Sequence, residues 1–150
     1  MAQSLSNILI HVVFSTKERR ALIRPDVETE LHRYLASVCR ACGCSAHEVG
    51  GTADHVHVIC TLSRTVLVGD LLEEIKKRSS KWIKTKGGGY RLFSWQRGYG
   101  AFSIGRSQLG AARRYVADQK KHHERRGFKE EFVALLRRYD VAYDERYVWD

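Results

Sequence analysis

No run of about eighteen apolar residues occurs in this 150-residue chain, so no membrane-spanning helix is expected. The segment Met1–Asn7 has neither a basic stretch nor a long apolar core, so it does not read as a signal peptide, and a cytoplasmic location is expected. There is no internal repeat and no low-complexity segment. Gly87-Gly88-Gly89 lacks the Lys and Ser/Thr that a phosphate-cradling loop requires, so no nucleotide cofactor is expected. Cys39-x-x-Cys42-x-Cys44 is followed by no second cysteine pair, and a reduced, structural role suits it better than zinc. Acidic residues are also in the minority, with 17 Asp plus Glu against 26 Lys plus Arg and a net charge of +9. That surplus suits a polyanionic partner, because Lys and Arg contacts release counterions from phosphates. A soluble basic protein with solvated faces explains the charge equally well.

The pattern of what is present predicts one domain over residues 1–150. Residues 5–15 are rich in β-branched residues and read as a strand. Pro25 suits a first helical turn, and Val27, Leu31, Tyr34, Leu35 and Val38 recur at helical spacing up to a stop near Gly43. Short strands are expected over 45–49 and 55–62. A helix then begins near Gly69 and Asp70, with Leu71, Leu72, Ile75, Ser79, Trp82 and Ile83 as its core stripe. Tyr99–Ile104 reads as a strand. Ser107 is placed to cap one long helix from Gln108 to about Arg126. Phe128–Tyr139 forms a last helix, and the aromatic tail Tyr143–Asp150 is expected to dock. The first six elements spell βαββαβ, an α+β ferredoxin/RRM-like antiparallel sheet with helices packed on it.

Two segments carry chemistry. In the strand Asp54-His55-Val56-His57-Val58-Ile59-Cys60, side chains at i and i+2 share a face, so His55 and His57 present two imidazoles side by side. Val56, Val58, Cys60 and Leu62 form the opposite, core-facing stripe. Paired imidazoles bind Mn, Zn, Co or Ni well and Mg less readily; two hydrogen-bonded core histidines are the competing reading. In Tyr115-Val116-Ala117-Asp118-Gln119, helical spacing puts Tyr115 and Gln119 one turn apart. Composition does not single out Tyr115 among seven tyrosines, and Gln119 on its own is an ordinary surface amide.

The ordered set Ile8–Phe14, Ser15-Thr16-Lys17, Asp54–His57, Glu74–Lys77, Ser79–Trp82, Trp95-Gln96, Gly98–Ser103 and Tyr115 with Gln119 resembles single-tyrosine HUH transposases. These act on single-stranded DNA and include REP-associated relatives. The resemblance covers nearly the whole chain and implies the HUH nuclease version of the fold. It implies that His55, His57 and Gln119 hold a divalent metal (Mg or Mn), with positions left open for a phosphate oxygen and water. It implies Tyr115 as nucleophile, a 5′-phosphotyrosine intermediate with a free 3′-OH, hairpin-bearing DNA ends as substrate, and a homodimer. Asp118 is a departure, since many members have Asn there, and a carboxylate at that position can add a ligand or change metal preference.

Candidate DNA contacts are Lys76, Lys77 and Lys81 on one basic helix and Arg113, Arg114 and Lys120 beside the tyrosine. His122-His123 reads best as a favourable helix end, and core packing suits at least two of Trp95, Tyr99 and Phe102 better than base stacking. Three other readings share the fold: a non-catalytic nucleic-acid-binding module, a domesticated repeat-processing relative, and an HUH nickase of the replication or relaxase type. The intact Tyr115, His55, His57 and Gln119 weigh against the first, and the absence of a second domain weighs against the last.

Overall fold

The computed structural model describes residues 2–150. Four strands, β1 (Ile8–Ser15), β2 (Ser45–Gly51), β3 (His55–Leu62) and β4 (Gly100–Ile104), form one antiparallel sheet in the order β2-β3-β1-β4. Helices α1 (Pro25–Ala41) and α2 (Val68–Ile83) are the crossovers. Each presents an apolar stripe to the sheet, Leu31, Leu35 and Val38 from the first and Leu71, Leu72 and Ile75 from the second. They pack on Ile10, Val12, Phe14, Val56, Val58 and Cys60, which forms the main core. Each fully buried Leu or Ile stabilises by roughly 1.5–3 kcal/mol relative to exposure. Pro25 stands in the first turn of α1, and Gly43 leaves its end at φ +76, a backbone region that glycine enters without strain.

The βαββαβ unit would leave the other sheet face bare. Three C-terminal helices cover it: α3 (Leu109–Ala117), α4 (Gln119–His123) and α5 (Phe128–Arg138). Leu9, Ile59, Leu109 and Val116 form one small apolar cluster there, and Val13, Phe102, Phe128, Phe132, Leu135 and Leu136 form another. Tyr143, Val148 and Trp149 of the tail pack against the second, so the tail docks as its aromatic content predicts. No helix among the described residues is long and apolar enough to cross a membrane.

Two local expectations are corrected. The long helix over 108–126 is broken: Asp118, at φ −96 and ψ 21, separates α3 from α4. Ser107 is also not a cap. Residues 106–108 form a single 3-10 turn, and it is the Gln108 side chain that accepts a hydrogen bond from the Gly105 N–H at 2.8 Å.

A candidate metal and nucleophile centre

Register fixes the site. β1 pairs with β3 so that Val13 faces His57, Ser15 faces His55 and His11 faces Ile59. In an antiparallel pair, facing residues project from the same side. His11, His55 and His57 therefore share the face covered by α3, α4 and α5, and all three are buried.

Glu131, in the first turn of α5, is the hub. Its carboxylate is fully buried, and its two oxygens face different partners. Oε1 lies 2.9 Å from His57 Nε2, 3.4 Å from His55 Nε2 and 3.1 Å from His123 Nε2. Oε2 accepts a short hydrogen bond from the Tyr115 hydroxyl and another, of 3.1 Å, from the Gln119 amide. Gln119 also brings its Oε1 within 2.9 Å of His55 Nε2. The ring centroids of Tyr115 and His57 are 5.9 Å apart within the one chain. The structure thus assembles Tyr115, His55, His57 and Gln119 in one place, around a carboxylate.

The backs of the two imidazoles are also held. His55 Nδ1 donates to the Asp54 carboxylate at 2.7 Å, and Thr52 Oγ1 stands 3.0 Å from the same nitrogen. His57 Nδ1 lies 2.7 Å from His11 Nε2. Partners on Nδ1 fix ring orientation and leave Nε2 aimed into the centre.

The electrostatics follow from this packing. Burial opposes charge on His55, but Asp54, Glu131 and Gln119 outweigh it and raise its pKa to about 9. Burial dominates at His57 and lowers its pKa. It also dominates at His11, where His57 adds to it, and the pKa falls to about 3. Burial and then the Glu131 carboxylate push the Tyr115 phenol up to about 12. Glu131 resists the upward push of burial, because His123, His55 and His57 hold its carboxyl far below the usual range.

This donor set fits a divalent metal. His55, His57 and Glu131 each offer one ligand atom, all within 4.8 Å of one another and all buried. Two imidazoles and a carboxylate suit Mn, Zn or Mg chemistry. A further observation agrees: His123 Nε2 is buried without a hydrogen-bond partner, since its approach to Glu131 lacks the required geometry. An orphaned nitrogen pointing at a ligand cluster is costly unless something else engages it.

Two expectations change here. His123 belongs to the centre and is more than a helix end, its ring 4.4 Å from that of His55. Asp118 is exposed at the helix break and lies outside the ligand cluster; the extra carboxylate is Glu131. Glu131 itself had a sequence signal. Phe128, Phe132, Leu135 and Leu136 mark the inward face of α5, and position 131 falls on that same face. A carboxylate inside an apolar stripe calls for a partner. His11 had the same kind of signal, as the one polar side chain within Ile8–Phe14.

The proposed DNA contacts divide between the layers. Arg113, Arg114 and Lys120 lie on α3 and α4, the tyrosine's side of the sheet. Arg113 reaches Glu48 at 3.5 Å and Lys120 reaches Glu28 at 3.3 Å. Lys77 and Lys81 are on α2, across the sheet, with Lys77 paired to Glu74 at 3.0 Å. Lys76 has a structural job. Its ammonium donates to the carbonyls of Gln96, Arg97 and Gly98 at 2.6–3.0 Å, and burial lowers its pKa to about 8. Trp95 and Phe102 are core residues, at 8% and 4% exposure, whereas Tyr99 is 40% exposed. Cys39, Cys44 and Cys60 are buried free thiols.

Residues 4–119 match the family model described as "Transposase IS200 like". No curated protein matches the chain. Two solved structures share the fold. A transposase-like protein from Deinococcus radiodurans is 15% identical with a TM-score of 0.61, over 77% of this chain and 95% of its own. A REP-associated tyrosine transposase bound to a REP hairpin is 17% identical with a TM-score of 0.52, over 77% of this chain and 70% of its own.

Proposed function

The chain belongs to the IS200-like transposase family, and from that premise we propose that it is a metal-dependent endonuclease and strand transferase for single-stranded DNA. The observation that carries the reading is the meeting of Tyr115 with His55 and His57 at the two oxygens of Glu131. His55, His57 and Glu131, with Gln119 beside them, would hold a divalent metal such as Mg or Mn. When bound, it supplies Lewis-acid polarisation of a non-bridging phosphate oxygen.

The chain's own residues do the rest. Tyr115 oxygen attacks phosphorus, forming a 5′-phosphotyrosine bond and releasing the 3′-oxygen, which leaves as a hydroxyl. At rest the phenol is neutral, its oxygen oriented by the hydrogen bond it donates to Glu131 Oε2, and the proton it loses as the bond forms ends on the departing 3′-oxygen. Asp54 and His11 keep the imidazoles oriented. Because bond energy is kept in the phosphotyrosine, a second 3′-hydroxyl can reverse the step and join strands.

The substrate we propose is a hairpin-bearing single strand, supported by the basic side chains Arg113, Arg114 and Lys120 beside the tyrosine and by the REP hairpin held by a protein of the same fold. The protein is proposed to act in the cytosol as a homodimer, with edge strand β4, which among the described residues pairs with β1 alone, available to a second copy. Incubation of the protein and Mn²⁺ with single-stranded hairpin DNA from its own locus should give a covalent adduct on a denaturing gel. Tyr115→Phe should abolish that adduct and retain DNA binding. An adduct that survives Tyr115→Phe would remove Tyr115 as nucleophile, and DNA binding with no adduct from wild type would support a non-catalytic binding module.

A further inference from the structure

A cavity of about 370 Å³ opens beside the Tyr115 ring, with His11 of β1 among its lining. Its walls are largely apolar: Ile104 from β4, Ala112 from α3, and Ala134, Leu135 and Tyr139 from α5 and its end. Tyr139 is held in place by stacking on Phe102, with centroids 4.8 Å apart and planes 23° apart. The volume lies within the range of small-molecule subsites, which start at roughly 300 Å³. None of the steps described above uses it.

Donors predominate among the polar groups at this cavity. Gln108, Arg126 and Arg138 reach it, beside the hydroxyls of Tyr115 and Tyr139 and the His11 imidazole, whose Nε2 is engaged by His57. The Gln108 side-chain oxygen is already taken by the Gly105 N–H, which leaves its amide hydrogens to donate. The two guanidiniums can only donate. The mouth therefore offers mainly donors and positive charge, and among the described residues no carboxylate lines it. A strand whose phosphate sits at Tyr115 must place the flanking sugars and bases within a few ångströms of this opening.

We propose that this cavity is a base-reading subsite. It takes one unstacked nucleobase next to the attacked phosphate and favours a keto base, guanine or thymine, over adenine or cytosine. The apolar walls receive the ring, as apolar pocket linings take up flat ligands. The donors meet the O6 and N7 acceptors of guanine or the O4 of thymine, whereas the exocyclic amines of adenine and cytosine would face other donors. Arg126 and Arg138 also hold the adjoining phosphates. Cleavage position is thereby read by the protein at the nucleophile itself. The inference rests on the proposed strand-cleavage reading of the Tyr115 site.

The test uses hairpin oligonucleotides with a randomised single-stranded flank. DNA captured covalently by wild type in Mn²⁺ is sequenced, as is DNA captured by Ala134→Phe, which fills the cavity, and by Arg138→Gln, an exposed position that removes a donor without altering the core. Wild type should enrich guanine or thymine about tenfold at one position flanking the captured phosphate. Both variants should flatten that position and leave any other preference unchanged. Random sequence at both flanking positions in wild type, or the same enrichment in both variants, overturns the subsite. Should Ala134→Phe fail to fold, Arg138→Gln carries the comparison. If no covalent adduct forms with any pool member, the cleavage reading falls, and the cavity is tested separately by fluorescence. A fluorescent guanine analogue moved along the flank should then change its emission at one position only, and lose that change with Ala134→Phe. Uniform emission at every position, or no DNA binding, overturns the subsite as well.

Discussion

Glu131 shows how one buried carboxylate can serve two jobs. Its Oε1 completes a set of imidazole donors, and its Oε2 holds the hydroxyl of Tyr115, the proposed nucleophile. The same contacts set a pH dependence. His55 has its pKa raised to about 9 by Asp54 and Glu131, against an ordinary value of 6.5. A raised pKa means that the protonated ring stabilises the metal-free fold. That contribution is complete below about pH 6.5 and is lost as pH rises through about 9. Metal binding works the other way, because a ligand must be the neutral imidazole, so binding has to release the His55 proton. His57 has a lowered pKa and Glu131 stays ionised, so neither adds a second proton. Mn²⁺ affinity should therefore rise about tenfold from pH 7 to pH 8. Calorimetry in buffers of different ionisation enthalpy should show about one proton released per ion. A pH-independent affinity over that interval would contradict the assignment of His55 as a ligand.

At the scale of elements, the site depends on how closely α3 lies on the sheet. Gly50 of β2 pairs with His57, and a Cβ built on it would stand 2.2 Å from the Val116 carbonyl oxygen. Val116 is the residue after Tyr115, so a methyl group at Gly50 pushes the tyrosine's own backbone away from the histidines. Gly50→Ala should cost about 1–3 kcal/mol, as overpacking does, and lower the melting temperature by roughly 2–4 °C per kcal/mol. Adduct formation should fall further than DNA binding. Gly110, on the exposed side of α3, is the control: its Cβ would meet nothing closer than the Arg114 guanidinium at 3.6 Å. Gly110→Ala should leave stability unchanged or raise it by about 0.4–1 kcal/mol. Equal melting temperatures for Gly50→Ala and wild type would show that α3 tolerates displacement.

The elements also show what the sequence could and could not disclose. Strands with alternating or β-branched runs were legible, and β3 begins and ends where its pattern predicts. So was the αβ order, because Pro25, Gly43 and the apolar stripes of α1 and α2 are local signals. The break at Asp118 was not legible. No Pro or Gly marks it, and the run from Lys120 to Arg126 has no apolar stripe to report a change of axis. Only the packed structure shows Gln119 turned inward onto His55 and Glu131. The His pair was legible from strand periodicity alone. Glu131 lies 74 residues from His57 in sequence, and no spacing rule links the two; only the closure of α5 over the sheet brings them together. Lys76 illustrates the reverse error. On a helix crowded with cations it reads as a phosphate contact, yet three carbonyls of the 96–98 loop receive its ammonium.

For the whole molecule, the surplus of positive charge and the placement of the tyrosine make separate predictions. Neutralising phosphates on a single strand changes the log–log salt slope by roughly −0.7 per contact, so about five contacts give a slope near −3.5. Binding to single-stranded hairpin DNA should follow such a slope and exceed binding to plain duplex. A flat salt dependence would remove the electrostatic part of the reading. The second prediction concerns which copy supplies the nucleophile. Tyr115 reaches Glu131 of its own chain, and the connection from β4 to α3 is only the short turn at 105–108. A dimer through β4 would then carry two sites, each built from one chain. Mixed dimers of His55→Ala with Tyr115→Phe separate the alternatives. If each chain builds its own site, every site in the mixed dimer keeps one lesion, and no covalent adduct should form. If the tyrosine helices were exchanged, one site would carry both lesions and the other none, and adduct formation should return to about half the wild-type level. Recovery of that kind would show that α3 leaves its own chain during the reaction, even though the resting arrangement holds Tyr115 in cis.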